Sequence, residues 1–439
     1  MSARNSSNAE RRFRRAACAD GFHYPSEVPN VRRRGTRRAA LAAVAMILLS
    51  ACNPNRFVSG WVPYWNAPQG RVGFNSAASQ MFTDISPFFF TALADGTIGL
   101  TGSKAELDKT VLDATARGIK VLPSITDGSG KLTMATGILL DPARRTQHVQ
   151  NIVALVVGSG FDGIDLDYEG FAFADGAPTW DATKPLWIAF ITELANTLHA
   201  NGKLLSVTIP PTWMEAGGVR GYPVYAPAEI GAVADRVRLM VYDWSVANPG
   251  PISPMSWVNL VIAYNGPLVP HGKLQLGIPS YGRDWGRKVN AAEICPDGAL
   301  ATRSIELDNM QGVIAAHGSP VLTRDATGEV TFSYDVVATG YSTTPIPAPP
   351  YVRPVNGVPS VGNPAASTGL QPALRLTPPT VQLSCTVRHF VHYGDAITIQ
   401  MHAQAALNAG WSGVVLWAMG YETREVYDAL AMTTPAVLP

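Results

Sequence analysis

Asp165, Asp167 and Glu169 occupy alternate positions in the run Phe161-Asp162-Gly163-Ile164-Asp165-Leu166-Asp167-Tyr168-Glu169. Side chains alternate faces along a strand, so the three carboxyls share one side while Ile164, Leu166 and Tyr168 share the other. Inside a helix-covered sheet such a stack cannot stay fully ionised without partners, because desolvation and mutual repulsion both favour the protonated form. At least one carboxyl is therefore expected to keep its proton near neutral pH and to serve as a general acid. Asp162 has the opposite parity and is expected to fix the start of the strand. An EF-hand calcium loop needs a glycine and a distant glutamate at set offsets, and this spacing supplies neither.

The elements that would position these acids alternate along the chain. Strand-like runs at Phe57 to Trp65, Ile85 to Leu93 and Lys120 to Ile125 precede the acidic run, with a helical stretch at Lys104 to Arg117. Asp141-Pro142 signals the start of an amphipathic helix reaching Val157. A helix from Pro185 to Ala200, strands at Lys203 to Pro210 and Val237 to Trp244, a helix from Ser253 to Ala263 and a strand at Lys273 to Tyr281 follow. The rhythm then breaks. Val330 to Tyr334 reads as the edge strand of a small α+β insertion spanning 284–390, and Thr344 to Pro379, rich in Pro, Gly and Ser, reads as a loop excursion. Order resumes with a helix from Asp395 to Ala409, a strand at Gly413 to Trp417 and a closing helix near Glu422 to Leu430. Eight strands in this rhythm imply a (β/α)8 TIM barrel over 57–431, interrupted after its seventh strand. That fold carries its chemistry at the C-terminal strand ends, where Glu169, Tyr242, Asp243, Trp244 and Trp417 all fall.

Composition narrows the partners. Of the 34 Lys+Arg and 33 Asp+Glu, residues 1–51 hold ten of the bases and three of the acids. The remainder is thus near −6, which leaves no basic footprint for nucleic acid. The basic cluster Arg32 to Arg38 precedes a short apolar run, Ala39 to Leu49, and then Leu49-Ser50-Ala51-Cys52. This is the layout of a secretory signal. Eleven apolar residues are too few for a spanning helix, which needs roughly 20. The tetrapeptide ending in Cys52 resembles the bacterial lipobox, which implies export, lipid attachment at Cys52 and residence at the cell membrane facing outside or the periplasm. The long stretch ahead of the basic cluster leads to the expectation that translation starts near Val28 or Val31. Cys295 and Cys385 remain in the mature body, and export makes a disulfide between them the expectation. No metal-ligand spacing is present; His389 and His392 are assigned to structure, and no cofactor is expected.

The acidic run resembles the signature of glycoside hydrolase family 18, Asp-x-x-Asp-x-Asp-x-Glu on the fourth barrel strand, with Asp162, Asp165, Asp167 and Glu169 at the four fixed positions. Gly60-Trp61-Val62-Pro63-Tyr64-Trp65, Met240-Val241-Tyr242-Asp243 and Gly413-Val414-Val415-Leu416-Trp417 resemble the family's first, sixth and eighth strands, in order. The helix from Asp395 and the strand at Gly413 to Trp417 look closer to the branch acting on bacterial cell wall, such as spore-germination hydrolases. Ser124-Ile125-Thr126-Asp127-Gly128 departs from the family's Ser-x-Gly-Gly.

The resemblance implies a retaining, substrate-assisted glycosidase, an exception to the usual pair of carboxylates about 5 to 5.5 Å apart. Glu169 would protonate the leaving oxygen, and Asp167 would hold the 2-acetamido N–H while sharing a proton with Asp165. Tyr242 would position the acetamido oxygen, and Trp417 would floor the reacting sugar. Asp243 and Met240, in the sixth-strand match, join the binding set. Trp65, Trp213 and Trp244 could stack on sugars or simply pack. The implied partner is a polysaccharide containing N-acetylglucosamine, peptidoglycan or chitin-type, bound by a monomer. The alternative is a non-catalytic lectin on the same barrel.

Overall fold

The computed structural model describes residues 57–76, 81–127, 139–342 and 381–433. The leader, Cys52 and the excursion from Thr344 to Pro379 lie outside the described residues. Eight strands alternate with helices: β1 (Phe57–Pro63), β2 (Phe82–Ala92), β3 (Lys120–Val121 and Ser124–Thr126), β4 (Gly163–Asp167), β5 (Leu204–Ile209), β6 (Arg236–Leu239), β7 (Leu274–Pro279) and β8 (Gly413–Trp417). Each pairs in parallel with its neighbours, and β1 pairs with both β2 and β8, so the sheet closes into a (β/α)8 barrel. The helices are α1 (Ala67–Asn75), α2 (Lys104–Ala116), α3 (Pro142–Gly158), α4 (Gly170–Asp175), α5 (Trp180–Ala200), α6 (Pro227–Val233), α7 (Met255–Asn265), α8 (Leu307–Ala316), α9 (Ala396–Asn408) and α10 (Arg424–Thr433).

Local chemistry explains several boundaries. Asp141 caps α3 by accepting the N–H groups of Ala143 and Arg144, and Asp395 caps α9 through Thr398. Helix α5 begins at Trp180, five residues before Pro185, which was read from the sequence as its start. The indole of Trp180 donates to the Ala172 carbonyl and secures that added turn. Two glycines open barrel strands where nothing larger fits. A Cβ on Gly163 would lie 2.2 Å from the Leu204 oxygen, and one on Gly413 would lie 1.7 Å from the Phe57 oxygen.

The apolar core lies between strands and helices. Ile164, Leu166, Leu205, Val207, Leu276 and Leu416 are buried along with the α3 and α5 faces carrying Ile152, Val156, Ile191, Leu194 and Leu198. The barrel axis, by contrast, is polar. Arg238 on β6 is fully buried and reaches Asp84 Oδ1 at 2.6 Å, Ser86 Oγ at 2.7 Å, Gln275 Oε1 at 2.9 Å and Asp165 Oδ1 at 3.2 Å. Gln275 passes the network to Ser59 at 3.0 Å, and Arg236 closes onto Asp84 from the floor of the barrel. These strands, buried on both faces, therefore alternate polar and apolar instead of being apolar throughout.

After β7 a five-stranded antiparallel sheet begins at Tyr281 and ends at Tyr393, wider than the 284–390 read from sequence, in the order 302–306, 281–288, 381–393, 330–342, 323–324. Val330–Ser342 is not its edge strand: it pairs with 381–393 along its length and with Thr323–Arg324 at its start. The sulfurs of Cys295 and Cys385 are bonded, with their Cα atoms 5.0 Å apart. The insertion is tied to the barrel by Glu329, which is fully buried and accepts the Ile252 and Ser253 amides at 2.8 and 2.5 Å. Among the described residues no helix is long and apolar enough to cross a membrane.

The axial network gives a direct test. Removing one member of a buried ion-pair cluster strands the opposite charge, at a cost of about 3–5 kcal/mol. Arg238→Met is expected to lower stability by that amount, read as a drop in the guanidinium midpoint at unchanged slope. A loss of under about 1 kcal/mol would show that the network contributes little.

Candidate active site

Strand β4 delivers its acids to two different situations. Asp165, in the strand, is saturated: Oδ2 accepts Trp61 Nε1 and Ser124 Oγ, both at 2.8 Å, and Oδ1 accepts Thr208 Oγ1 at 2.9 Å beside Arg238. Asp167, the last strand residue, is buried, and its Oδ1 has no hydrogen-bond partner among the described residues. Burial, then the charges of Glu169, Asp165 and Asp127, drive the Asp167 carboxyl well above its ordinary range. The expected shared proton between Asp165 and Asp167 does not match this geometry, since no hydrogen bond joins them and Arg238, Trp61, Ser124 and Thr208 already occupy Asp165.

Glu169 is not in the strand, as the alternation had suggested. It lies two residues beyond β4, at φ −99° and ψ −38°, as the residue that begins α4. The side-chain parity nonetheless survives the turn. Tyr168 points outward and is fully buried, its hydroxyl 2.6 Å from His148 Nε2 and its ring stacked on Phe190. Glu169 acts electrostatically on Asp167. Burial raises the Glu169 carboxyl to about 7, with the negative charges of Asp127 and Asp243 adding to the effect. Asp162 stands outside this group, its Oδ2 accepting the Val121 amide at 2.8 Å where β3 and β4 start.

β6 ends at Leu239, so Met240 to Trp244 form a segment above the strand rather than its last residues. Met240 is buried, and its amide continues the pairing onto the Ile209 carbonyl. Tyr242 lies 6.4 Å ring to ring from Tyr281, and burial, then the charge of Asp167, keeps its phenol protonated far above the usual range. Tyr242 is thus a hydroxyl donor beside Asp167. Asp243 adopts φ 63°, a conformation that aspartate tolerates better than most residues. The insertion holds it there, through the Tyr281 hydroxyl and Arg283 Nη2, the latter at 2.6 Å.

The aromatic residues divide into two sets. Trp417, at the end of β8, meets Phe88 at 5.0 Å, Trp61 at 5.9 Å and Trp65 at 6.2 Å, all edge to face. Trp65 is 51% exposed, and its indole donates to the Tyr421 hydroxyl at 2.7 Å. From Trp65 a groove of ≈ 700 Å³ runs along Tyr64, Phe88, Phe90, Thr91 and Leu93. Trp213, Trp244 and Trp257 make a second cluster with centroids 5.1–5.8 Å apart. Trp244 is 44% exposed, next to Asp243. Trp213 instead belongs to a small hairpin (Thr212–Glu215 with Gly218–Gly221), its indole bonded to Glu215.

Several site residues escaped the sequence reading. Arg238 and Trp61 fix Asp165, and Arg238 carries the same signal as the acids, a charged residue within an apolar run. Asp127 and Tyr225 flank Glu169, from the end of β3 and from the turn before α6, and no local pattern links them to the acidic run. Among the described residues no cluster of His, Cys, Asp and Glu could hold a metal ion.

Comparison with known proteins adds the relationship. The family model described as Glycosyl hydrolases family 18 matches residues 58–422. The cortical fragment-lytic enzyme of Bacillus anthracis is 24% identical over 216 residues, covering 49% of this chain and 48% of that protein. The chain spans about half the length of the curated relatives it matches. Among solved structures, a Chromobacterium violaceum chitinase is similar at TM-score 0.63 and 22% identity, over 86% of this chain and 98% of that one. The spore cortex-lytic enzyme SleL of Bacillus megaterium is similar at TM-score 0.63 and 19% identity, over 86% and 73%. At these identities the structures speak for the fold; the family match, spanning β1 through β8, establishes that the chain belongs to glycoside hydrolase family 18.

Proposed function

We propose that the protein is a retaining, substrate-assisted glycoside hydrolase that cleaves β-1,4 bonds at N-acetylglucosamine in peptidoglycan or chitin-type chains. The observation that carries this reading is the buried Asp167 Oδ1, without a hydrogen-bond partner among the described residues, beside a glutamate that holds its proton to about pH 7. A buried polar atom without a partner costs about 1–3 kcal/mol, which a substrate N–H would relieve. In the proposed reaction the Glu169 carboxyl gives its proton to the glycosidic oxygen as the C1–O bond breaks. The 2-acetamido oxygen bonds to C1 at the same time, with Tyr242 donating to orient it and Asp167 accepting its N–H. The resulting oxazolinium ion is opened by water, whose proton passes to the Glu169 carboxylate. Two inversions at C1 give retention. Trp417 forms the apolar floor under this sugar, with Trp65 and Trp244 at the rim on either side. The names of the cortex-lytic relatives favour peptidoglycan, while the chitinase neighbours keep chitin-type chains in view.

The test uses the soluble body from Asn53 onward with chitin oligosaccharides and with purified peptidoglycan, products being read by mass spectrometry. Wild type should release fragments ending in N-acetylglucosamine and leave a plain glucoside oligomer intact. Glu169→Gln should lose turnover by at least about 10²-fold, in the range of a lost general acid, and keep oligosaccharide binding. Cleavage of the glucoside would remove the acetamido mechanism. Binding without products in the wild type would instead mark a lectin.

The acid must be protonated to act, and its carboxyl is raised from an ordinary 4.5 to about 7. Activity is therefore expected to hold up to near neutrality and to fall as pH rises through about 7. A limb near 4.5 in kcat/KM would show that Glu169 is not the group being read.

We also propose export and lipid attachment at Cys52. Labelling with a radioactive fatty acid should mark the wild-type protein in the membrane fraction and leave Cys52→Ala unlabelled. Equal labelling of both would place any anchor elsewhere.

A further inference from the structure

Glu169 sits on a turn, so sheet pairing does not fix it, and two side chains from other elements do. On one side the buried Tyr225 hydroxyl donates to the Tyr168 carbonyl at 2.8 Å and lies 3.3 Å from that of Glu169. On the other, Asp127, one residue past β3, is buried and accepts the Phe171 amide on Oδ2 at 2.7 Å. The amides of Gly170 and Glu169 are turned toward the same carboxyl. We propose that Asp127 is a positioning residue for Glu169: its carboxylate fixes the turn that carries the acid and sets a negative charge beside it. This inference rests on the reading of Glu169 as the general acid.

The charge assignment follows from the surroundings. Burial pushes the Asp127 carboxyl up, and the backbone amides of Gly170, Phe171 and Glu169 act against that, in favour of the carboxylate. Other titratable groups face Glu169 from every side. Asp167 comes from β4, Tyr242 and Asp243 from above β6, and Tyr222 and Tyr225 from the turn before α6. The three tyrosines are kept neutral chiefly by burial, and burial, then the charges of Glu169, Asp165 and Asp127, pushes the Asp167 carboxyl well above its ordinary range. Asp243 has Arg283 at 2.6 Å to offset it. Among the described residues no lysine or arginine pairs with Asp127, so its charge reaches Glu169 through a buried, poorly screened space. The same position breaks the Ser-x-Gly-Gly pattern. What reads as a departure in sequence thus supplies an extra acid in space.

Asp127→Asn keeps the size and one oxygen for the Phe171 amide while removing the charge. In the full soluble body the basic limb of kcat/KM should move down by about one pH unit, with KM nearly unchanged. A direct readout needs no turnover: the Glu169 δ-carbon resonance, assigned by its loss in Glu169→Gln, should titrate lower in Asp127→Asn than in wild type. An unchanged Glu169 titration in folded Asp127→Asn overturns the proposal. If that variant does not fold, Asp127→Glu and Asp127→Gln take its place, with the limb retained in the first and lowered in the second; identical limbs overturn the proposal. If wild type cleaves nothing, the catalytic reading of Glu169 fails, and the titration still decides what Asp127 does.

Discussion

The buried guanidinium of Arg238 governs the centre of this barrel. One side chain from β6 reaches carboxylates on β2 and β4, a hydroxyl on β2 and an amide on β7, and its plane lies over the Trp61 ring at 5.5 Å. Each of these polar groups would be costly to bury alone, and together they satisfy one another. The strands are therefore registered by a hydrogen-bond network on the axis as well as by apolar packing outside. Asp165 is the member of this network nearest the chemistry. Trp61, Ser124, Thr208 and Arg238 hold its two oxygens in place beneath Asp167.

Burial first, and then neighbouring charge, separates the roles of the remaining acids. Asp165 and Asp127 differ in their partners: side-chain donors hold the first, and the Phe171 amide bonds the second. Burial, and after it the charges of neighbouring acids, raises the carboxyls of Asp167 and Glu169. Divergent environments are how a fold assigns a donor and a set of electrostatic supports to residues of one type. The sequence shows only that acids alternate; the partners that set Asp165 apart come from residues more than forty positions away.

How much was readable from the chain follows the same line. The eight-strand rhythm, the order of elements and the grouping of Asp165, Asp167, Tyr242 and Trp417 all come from local alternation and motif spacing, signals that a linear reading can capture. Element ends fared worse. β4 and β6 stop two and five residues before Glu169 and Trp244, because the chain must turn there to present side chains to the barrel mouth, and turning residues carry no period. Trp213 could stack or pack from its position after β5, and its neighbours Trp244 and Trp257 come from 31 and 44 positions further on in the chain. Asp127 was visible only as a missing glycine, since its role depends on amides of α4 that no nearby residue announces.

The insertion shows why the mouth can be both shaped and held. Its first strand, Tyr281–Lys288, sends the Tyr281 hydroxyl and Arg283 to Asp243, the Trp285 indole to the Val246 carbonyl at 2.8 Å and Arg287 to the Ala247 carbonyl at 2.6 Å. From the far end of the same sheet, Glu329 takes the amides of Ile252 and Ser253, and the Ser253 carbonyl is held in turn by His402 on α9 at 2.9 Å. The segment from Tyr242 to Ser253 is thus fastened at both ends by side chains that follow β7. A left-handed Asp243 would relax if left alone in a loop; pinned by Arg283, it aims Tyr242 toward Asp167 and leaves Trp244 exposed at the rim. The charge of Asp243 also acts on Glu169. The insertion is therefore part of the wall that sets the acid's environment, and a change at Arg283 would be felt at Glu169 through Asp243 without touching either β4 or the barrel axis.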